Sequence, residues 1–261
     1  MTRCDICITE DCDGKKNCHC DTCKHIKKCN KVLRPVIRIT RKCTQQCRHC
    51  CFSCSPDQND HMSVDMAISI SEFFKLYDIK VASIMGGEFF CNPDWLKIFE
   101  ILLPNLNYCR LVTNGDWAKD DTFLKQLSPY KDKLSIAISE DKWHSNLYTQ
   151  NAIEQCEEQD FVYTVPSVEM QHDTILVPVG RLEGDPSGIY GMFSTYCSNP
   201  IHHYSFLIDE IGDIFKCSFG KLKYTNIMNH LDGTFPEKFK KFNQNFYNKS
   251  PMNCYQCNYM F

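Results

Sequence analysis

Apolar and polar positions alternate along the chain in a pattern that predicts strands separated by helices. Ile37 and Ile39 alternate with Arg38 and Thr40, as in a strand with one buried face. Later apolar runs predict five more strands, over 80–85, 108–113, 134–139, 161–165 and 175–179. Helical periodicity fills the intervals over 63–77, 93–103, 120–127 and 144–159.

This alternation predicts an α/β fold, because parallel strands need helical crossovers between them. Six such units over residues 33–182 would form an open, partial (β/α)6 barrel, with ligands bound at the carboxyl ends of the strands. After this region the pattern predicts a hairpin around Gly212 and a Phe-rich amphipathic segment over 235–246. We therefore expect a small α+β C-terminal domain over residues 183–261.

The first 32 residues form a Cys-rich extension with few aliphatic side chains, so this segment is not expected to build its own apolar core. The chain carries 19 cysteines and no apolar segment typical of a secretion signal. We therefore expect a cytoplasmic protein, in a reducing compartment where clustered cysteines bind metal rather than form disulfides.

Charge and hydrophobicity exclude some partners. No run of about 18 apolar residues is present, so we expect no membrane-spanning helix. The net charge of −3 does not indicate nucleic-acid binding, which needs a basic surface.

Cys43, Cys47 and Cys50 follow the first predicted strand directly. Three thiolates can hold one 4Fe-4S cluster and leave one iron open for another ligand. The alternative is a zinc site made by Cys43 and Cys47 with Cys50, Cys51 or Cys54. Spacing alone leaves both alternatives open.

At these residues the chain resembles the radical S-adenosylmethionine (radical SAM) superfamily, whose signature is C-x3-C-x2-C with an aromatic residue or His, here His49, before the last Cys. The resemblance implies that Cys43, Cys47 and Cys50 bind a 4Fe-4S cluster and that S-adenosylmethionine chelates the open iron. It further implies reductive cleavage to methionine and a 5′-deoxyadenosyl radical, which abstracts hydrogen from a substrate. An electron donor such as flavodoxin or ferredoxin would supply the electron.

Gly86, Gly87 and Glu88 end the second predicted strand, where missing side chains let the backbone approach a ligand closely. Taken alone, this segment would be interpreted as a tight turn. In the superfamily that the chain resembles, the same segment contacts the amino group of the methionine moiety. We therefore expect these three residues to bind the cofactor.

Thr113 and Asn114 end the third predicted strand, and Ser139 ends the fourth. The resemblance makes them secondary candidates for binding S-adenosylmethionine, with a turn or cap role as the alternative. His144 follows shortly after Ser139 and is interpreted as a surface or capping histidine, with a substrate-facing role as the alternative.

The C-terminal cysteines suggest a second cluster. Cys197, Gly212 and Cys217 resemble the C-x9-15-G-x4-C opening of SPASM and twitch domains, which hold auxiliary clusters. With Cys254 and Cys257 they offer four thiolates, enough to saturate one auxiliary 4Fe-4S cluster. The sequence lacks the later cysteines of a full SPASM domain, so we expect the twitch-like form. A structural Cys4 zinc site is the alternative.

Cys20, Cys23 and Cys29 predict a further metal site in the N-terminal extension, with iron–sulfur and zinc as open alternatives. Three other cysteines are interpreted as small buried hydrophobes: Cys91, Cys109 and Cys156.

The resemblance leaves three functions open. Twitch and SPASM appendages frequently accompany peptide modification, so the first hypothesis is an enzyme that modifies a peptide or protein. The second is a radical SAM enzyme that acts on a small molecule or nucleotide. The third is a non-catalytic zinc-binding interaction module, which does not explain why chemistry-bearing residues end successive strands.

Overall fold

The computed structural model describes residues 33–165, 180–182, 205–216, 220, 222–235, 237–239 and 241–242. Its strands are β1 (Arg34–Arg38), β2 (Val81–Met85), β3 (Tyr108–Thr113), β4 (Leu134–Ile138), β5 (Val162–Thr164), β6 (Ser205–Ile208), β7 (Asp213–Phe215) and β8 (Lys223–Asn226). Its α-helices are α1 (Val64–Leu76), α2 (Trp95–Leu102), α3 (Thr122–Leu127) and α4 (Thr149–Glu158). None of these helices is long and apolar enough to cross a bilayer.

All the strands of the described residues belong to one sheet, in the order β5-β4-β3-β2-β1-β6-β7-β8. Strands β1 to β6 pair in parallel, and β7 and β8 extend the sheet in antiparallel fashion. Every residue of β4 is buried, as expected for a parallel strand covered on both faces. The predicted α/β class with a parallel sheet is confirmed.

Local signals predicted most element boundaries well. Strand β3 has the predicted bounds, and α1 begins after Ser63, whose hydroxyl accepts a hydrogen bond from the Met66 N–H at 3.2 Å. Helix α4 begins at Thr149, so the predicted start at residue 144 is wrong. The reason is local: the Asp141 carboxylate accepts hydrogen bonds from the N–H groups of Trp143 and His144 and holds this segment in a turn.

The predicted hairpin around Gly212 forms, and its first strand, β6, pairs with β1. Gly212 has φ +81°, and a Cβ there would lie 2.7 Å from Met66 Sδ of α1, so the turn needs glycine. The hairpin therefore continues the main sheet. The predicted strand over 175–179 lies outside the described residues, and the domain boundaries at 32 and 182 stay a prediction.

A buried ion pair connects this hairpin to the end of β1. Arg38 Nε donates to Glu210 Oε2 at 2.8 Å, and Arg38 Nη2 lies 3.6 Å from Asp209 Oδ2. Burial and the neighbouring Glu210 carboxylate raise the pKa of Asp209 to about 6. A buried charge left without its partner is costly, so this arrangement specifies where the hairpin docks.

Aromatic side chains fill the interface between α1 and the C-terminal part of the described chain. The Phe73 ring is fully buried and lies 4.7 Å from the Tyr77 ring, 6.4 Å from Phe206 and 5.0 Å from Phe235, measured between centroids. Edge-to-face contacts of this kind add to the stabilisation that comes from burial. Phe73 therefore couples α1 to β6 and to the residues that follow β8.

We predict that Phe73→Ala lowers the free energy of unfolding by about 3 to 5 kcal/mol, because it leaves a cavity among these rings. The measurement is urea-induced unfolding followed by circular dichroism. Ile68→Ala on the exposed side of the same helix is the control and should change stability by less than about 0.5 kcal/mol. Equal losses in the two variants would contradict this account of the core.

Candidate functional site

A cavity of about 190 Å³ opens at the carboxyl ends of the central parallel strands. A water molecule occupies about 30 Å³, so this space suits a group much larger than a single ion. Eight residues that the sequence predicted for the site line the wall of this cavity: Cys43, Cys47, Cys50, Gly86, Gly87, Thr113, Asn114 and Ser139. The parallel sheet explains the convergence, since successive loops leave it on one edge.

The cysteines named in the two metal alternatives all lie at this cavity. Cys43, Cys47 and Cys50 line it together with Cys51 and Cys54. The cavity has room for a polynuclear cluster, which three thiolates can hold.

Polar groups surround these sulfurs. The N–H of Gln45 donates to Cys43 Sγ at 3.4 Å, and the N–H of Cys54 donates to Cys50 Sγ at 3.3 Å. Burial raises the pKa of Cys43 to about 12 and that of Cys47 to about 11. These two thiols therefore need a bound cation to become thiolates at neutral pH, and N–H donors of this kind stabilise a thiolate once it has formed.

Gly86 and Gly87 allow the end of β2 to lie directly against the segment that leads to Cys43. A Cβ on Gly87 would lie 2.3 Å from the Lys42 carbonyl oxygen, and a Cβ on Gly86 would lie 2.8 Å from Thr40 Cγ2. The Gly87 N–H donates to the Thr40 carbonyl at 2.7 Å. The glycines are thus required by a backbone contact within the chain, in addition to the ligand approach expected from the sequence.

The Glu88 side chain turns away from the cavity and toward the end of β3. It is 1% exposed, and its carboxylate accepts hydrogen bonds from Thr113 Oγ1 at 2.7 Å and from the Asn114 N–H at 2.8 Å. Asn114 in turn donates to Thr44 Oγ1 at 3.0 Å, next to Cys43. Glu88 therefore joins three loops of the site, whereas its expected contact with the cofactor stays a prediction.

Gln45 is a site residue that the sequence analysis missed. Its Nε2 donates to Asp116 Oδ2 at 3.0 Å and to Ser145 Oγ at 2.9 Å, and its Oε1 accepts from the Ser145 N–H at 3.0 Å. These partners lie 71 and 100 residues away in sequence, so no local pattern identifies them. Gln45 connects the cysteine loop to the loops after β3 and β4.

Arg181 contacts the cysteine loop from the other side. Its guanidinium donates to the carbonyl oxygens of Cys47 and Cys54, and its N–H donates to the Cys50 carbonyl at 3.1 Å. Gly180 precedes it with φ +60°, and a Cβ there would lie 2.4 Å from the Cys50 carbonyl oxygen. The short segment 180–182 therefore fixes the cysteine loop.

His49, Asp141 and His144 form a polar cluster at the cavity. His49 Nε2 lies 3.7 Å from Asp141 Oδ2, and His144 Nδ1 lies 3.0 Å from Asp141 Oδ1. Burial lowers the pKa of His49. The side chain of His144 is 14% exposed and lines the cavity, so the interpretation as a surface histidine is wrong.

Several predicted site residues lie outside the described residues and stay predictions: Cys20, Cys23, Cys29, Cys197, Cys217, Cys254 and Cys257. Cys109 and Cys156 are fully buried, as predicted. Cys91 is partly exposed, so its interpretation as a buried hydrophobe is wrong.

Comparison with known sequences finds similarity in the region that contains the cysteine loop. Residues 37–141 match the family model of the Radical SAM superfamily. Over 132 residues the chain is 29% identical to YydG of Bacillus subtilis (strain 168), which is named as a peptide biosynthesis protein. The aligned region covers 49% of this chain and 41% of YydG, so less than half of that relative is matched.

Solved structures share the fold at low sequence identity. A structure of BtrN in complex with AdoMet and 2-DOIA has a TM-score of 0.59 at 14% identity and covers 86% of this chain and 92% of BtrN. A structure of anSMEcpe with bound AdoMet and Cp18Cys peptide has a TM-score of 0.54 at 15% identity and covers 82% of each chain. At these identities the likeness concerns the fold alone.

We predict that Glu88 makes stability depend on pH. Burial raises the pKa of Glu88 from 4.5 to about 7, so its contribution to stability is complete below about pH 4.5 and is lost as the pH rises through about 7. Glu88→Gln, which stays uncharged, should remove a loss of about 2 kcal/mol between pH 5.5 and pH 8. Urea unfolding at both pH values measures the difference.

The exposed Glu72 on α1 provides the matched control, and Glu72→Gln should leave the pH dependence as it is in the unsubstituted chain. If Glu88→Gln and the unsubstituted chain lose the same stability between these pH values, Glu88 is not the titrating group.

Proposed function

We propose that this chain is a radical SAM enzyme that binds a 4Fe-4S cluster and cleaves S-adenosylmethionine reductively to start radical chemistry on a peptide. The superfamily is one of enzymes, and the match to its model includes the cysteine loop. The observation that carries the proposal is the convergence of Cys43, Cys47 and Cys50 with Gly86 and Gly87 at one cavity.

The donor set fits the cluster. Cys43, Cys47 and Cys50 would hold three of its irons, and the fourth would be left for the amino and carboxylate groups of S-adenosylmethionine. When bound, the reduced cluster supplies the electron that breaks the carbon–sulfur bond and yields methionine and a 5′-deoxyadenosyl radical. The N–H groups of Gln45 and Cys54 donate to the ligand sulfurs, and such hydrogen bonds tune the reduction potential of a cluster.

The remaining wall of the cavity would bind S-adenosylmethionine itself. Gly86 and Gly87 present backbone polar groups beside the cysteine loop, and we assign them to the methionine moiety. Thr113, Asn114 and Ser139 follow β3 and β4, and we assign them to the rest of the cofactor. Glu88 acts through Thr113 and Asn114 as a positioning residue.

Two observations support a peptide as the substrate. The aligned half of the chain is similar to YydG, and the anSMEcpe structure that shares the fold contains a peptide. The BtrN structure, which contains 2-DOIA, favours a small molecule as the second candidate.

The full proposal includes parts of the chain outside the described residues. Cys197, Cys217, Cys254 and Cys257 would bind an auxiliary 4Fe-4S cluster in a twitch-like C-terminal domain, and Cys20, Cys23 and Cys29 a further metal. A cytoplasmic electron donor such as flavodoxin or ferredoxin would reduce the cluster at Cys43, Cys47 and Cys50. A non-catalytic zinc module would not explain why Gly86, Gly87, Thr113 and Asn114 line the same cavity as these cysteines.

We predict that replacing Cys43, Cys47 and Cys50 together by Ala abolishes reductive cleavage of S-adenosylmethionine, because no ligand of the proposed cluster remains. The measurement is deoxyadenosine formed with dithionite as reductant, together with iron per chain after anaerobic reconstitution. Cys91→Ala is the control, since Cys91 does not line the cavity, and it should keep both iron and activity. Undiminished cleavage in the triple variant would overturn the proposed function.

We predict that a peptide encoded next to this gene stimulates deoxyadenosine formation several-fold and changes in mass, whereas small metabolites do neither. Liquid chromatography with mass spectrometry follows both products in one reaction. Stimulation by aminocyclitols or nucleotides, with no effect of the peptide, would instead support the small-molecule alternative.

A further inference from the structure

We propose that His49, Asp141 and His144 bind a divalent transition-metal ion beside the cysteine cavity. Their ligand atoms all lie within 4.8 Å of one another. Over the described ranges, these are the only three His, Cys, Asp or Glu side chains grouped this closely. Two imidazoles and one carboxylate are the ligand set of several catalytic zinc sites and of mononuclear non-haem iron(II) sites.

The distances within this group suit coordination. Zinc bonds of about 2.0 to 2.2 Å place neighbouring ligand atoms roughly 3.0 to 3.6 Å apart. His144 Nδ1 lies 3.0 Å from Asp141 Oδ1, and His49 Nε2 lies 3.7 Å from Asp141 Oδ2. Both imidazoles therefore lie close enough to the carboxylate to share an ion with it after a small movement of the side chains.

The contacts within the group leave room for an ion. His144 Nδ1 contacts Asp141 Oδ1 at 3.0 Å, whereas His49 Nε2 lies 3.7 Å from Asp141 Oδ2, which is too long for a hydrogen bond. The other ring nitrogen of His49, Nδ1, is buried without a hydrogen-bond partner. An ion shared with the carboxylate would give His49 a ligand bond that the side chains alone do not provide.

The carboxylate is already held in place by the backbone. Asp141 Oδ1 accepts hydrogen bonds from the N–H groups of Trp143 at 2.8 Å and His144 at 3.2 Å, and the side chain is 3% exposed. Hydrogen bonds of this kind orient the ligands of metal sites. Arg48 and Lys142 both lie over the Trp143 ring, and their positive charges would moderate the affinity for a cation.

The position of the site determines what it can do. His49 belongs to the cysteine loop, and both His49 and His144 line the cavity. Three protein ligands leave coordination positions for an oxygen or nitrogen atom of another molecule. Imidazole and carboxylate ligands suit Zn²⁺ or Fe²⁺, whereas the neighbouring thiolates suit an iron–sulfur cluster, so the two sites would select different metals.

The experiment uses the full chain after anaerobic reconstitution with iron and sulfide, so that cluster-binding cysteines are occupied. Zn²⁺ is titrated against a competing chelator, and bound zinc and iron are counted by mass spectrometry. Asp141→Asn keeps an oxygen for the two backbone N–H groups but removes the charge. His144→Gln removes one imidazole, and His61→Gln is the matched control, since His61 Nδ1 pairs with Thr40 Oγ1 at 2.9 Å instead.

We expect the unsubstituted chain and His61→Gln to bind one more zinc per chain than the other two variants, whose affinity at this site falls by more than about tenfold. Iron content should be the same in all four proteins. The difference in zinc-edge X-ray absorption between the unsubstituted chain and Asp141→Asn should show nitrogen and oxygen ligands at about 2.0 to 2.2 Å and no sulfur at about 2.3 Å.

Equal zinc binding by the unsubstituted chain and Asp141→Asn would overturn the proposal, as would sulfur in the difference spectrum. Zinc bound by cysteines elsewhere in the chain is common to all four proteins and cancels in these comparisons. Circular dichroism identifies a variant that has unfolded. In that case, the other of Asp141→Asn and His144→Gln is compared with the unsubstituted chain by the same two criteria. The proposed function does not depend on this outcome, because deoxyadenosine formation by the unsubstituted chain tests it separately.

Discussion

The backbone contact between the end of β2 and the segment that leads to Cys43 is the constraint on which the site depends. Gly87 approaches Lys42 so closely that a Cβ would lie 2.3 Å from the Lys42 carbonyl oxygen, and the Gly87 and Glu88 N–H groups donate to the carbonyls of Thr40 and Lys42. This contact fixes the start of the cysteine loop against the sheet. Without it, the glycines and the cysteines would not face one cavity.

Polar side chains carry the same constraint outward from β2. Glu88 links the end of β2 to the end of β3, and Gln45 links the cysteine loop to the loops after β3 and β4. Arg181 holds the loop through the carbonyls of Cys47 and Cys54. Glu88 costs free energy to bury and recovers part of it through its hydrogen bonds, whereas the partly exposed Gln45 and Arg181 specify the arrangement of the loops through their contacts.

The site therefore offers two sets of donors with different chemistry. Soft sulfur ligands lie in one loop, and two imidazoles with a carboxylate lie close together at the junction of that loop with the loop after β4. Thiolates and imidazoles differ in their preferred metals, so the two sets need not compete for the same ion. Their proximity follows from the parallel sheet, which delivers each loop to the same edge.

The sequence by itself determined the local elements and the chemistry of the cysteine loop. Ser63 caps α1 as expected, β3 has the predicted bounds, and the spacing of Cys43, Cys47 and Cys50 lies within the region that matches the Radical SAM model, because each of these signals acts between neighbours in the chain. The same local reasoning missed the turn at Asp141 that delays α4.

Only the tertiary structure decided how these parts meet. The partners of Gln45 lie 71 and 100 residues away, the carbonyls bound by Arg181 lie 134 and 127 residues away, and β6 pairs with β1 across most of the chain. Sequence spacing carries no information about such pairs, because they depend on which loops the folded sheet brings to one edge and on which buried polar atoms then need a partner.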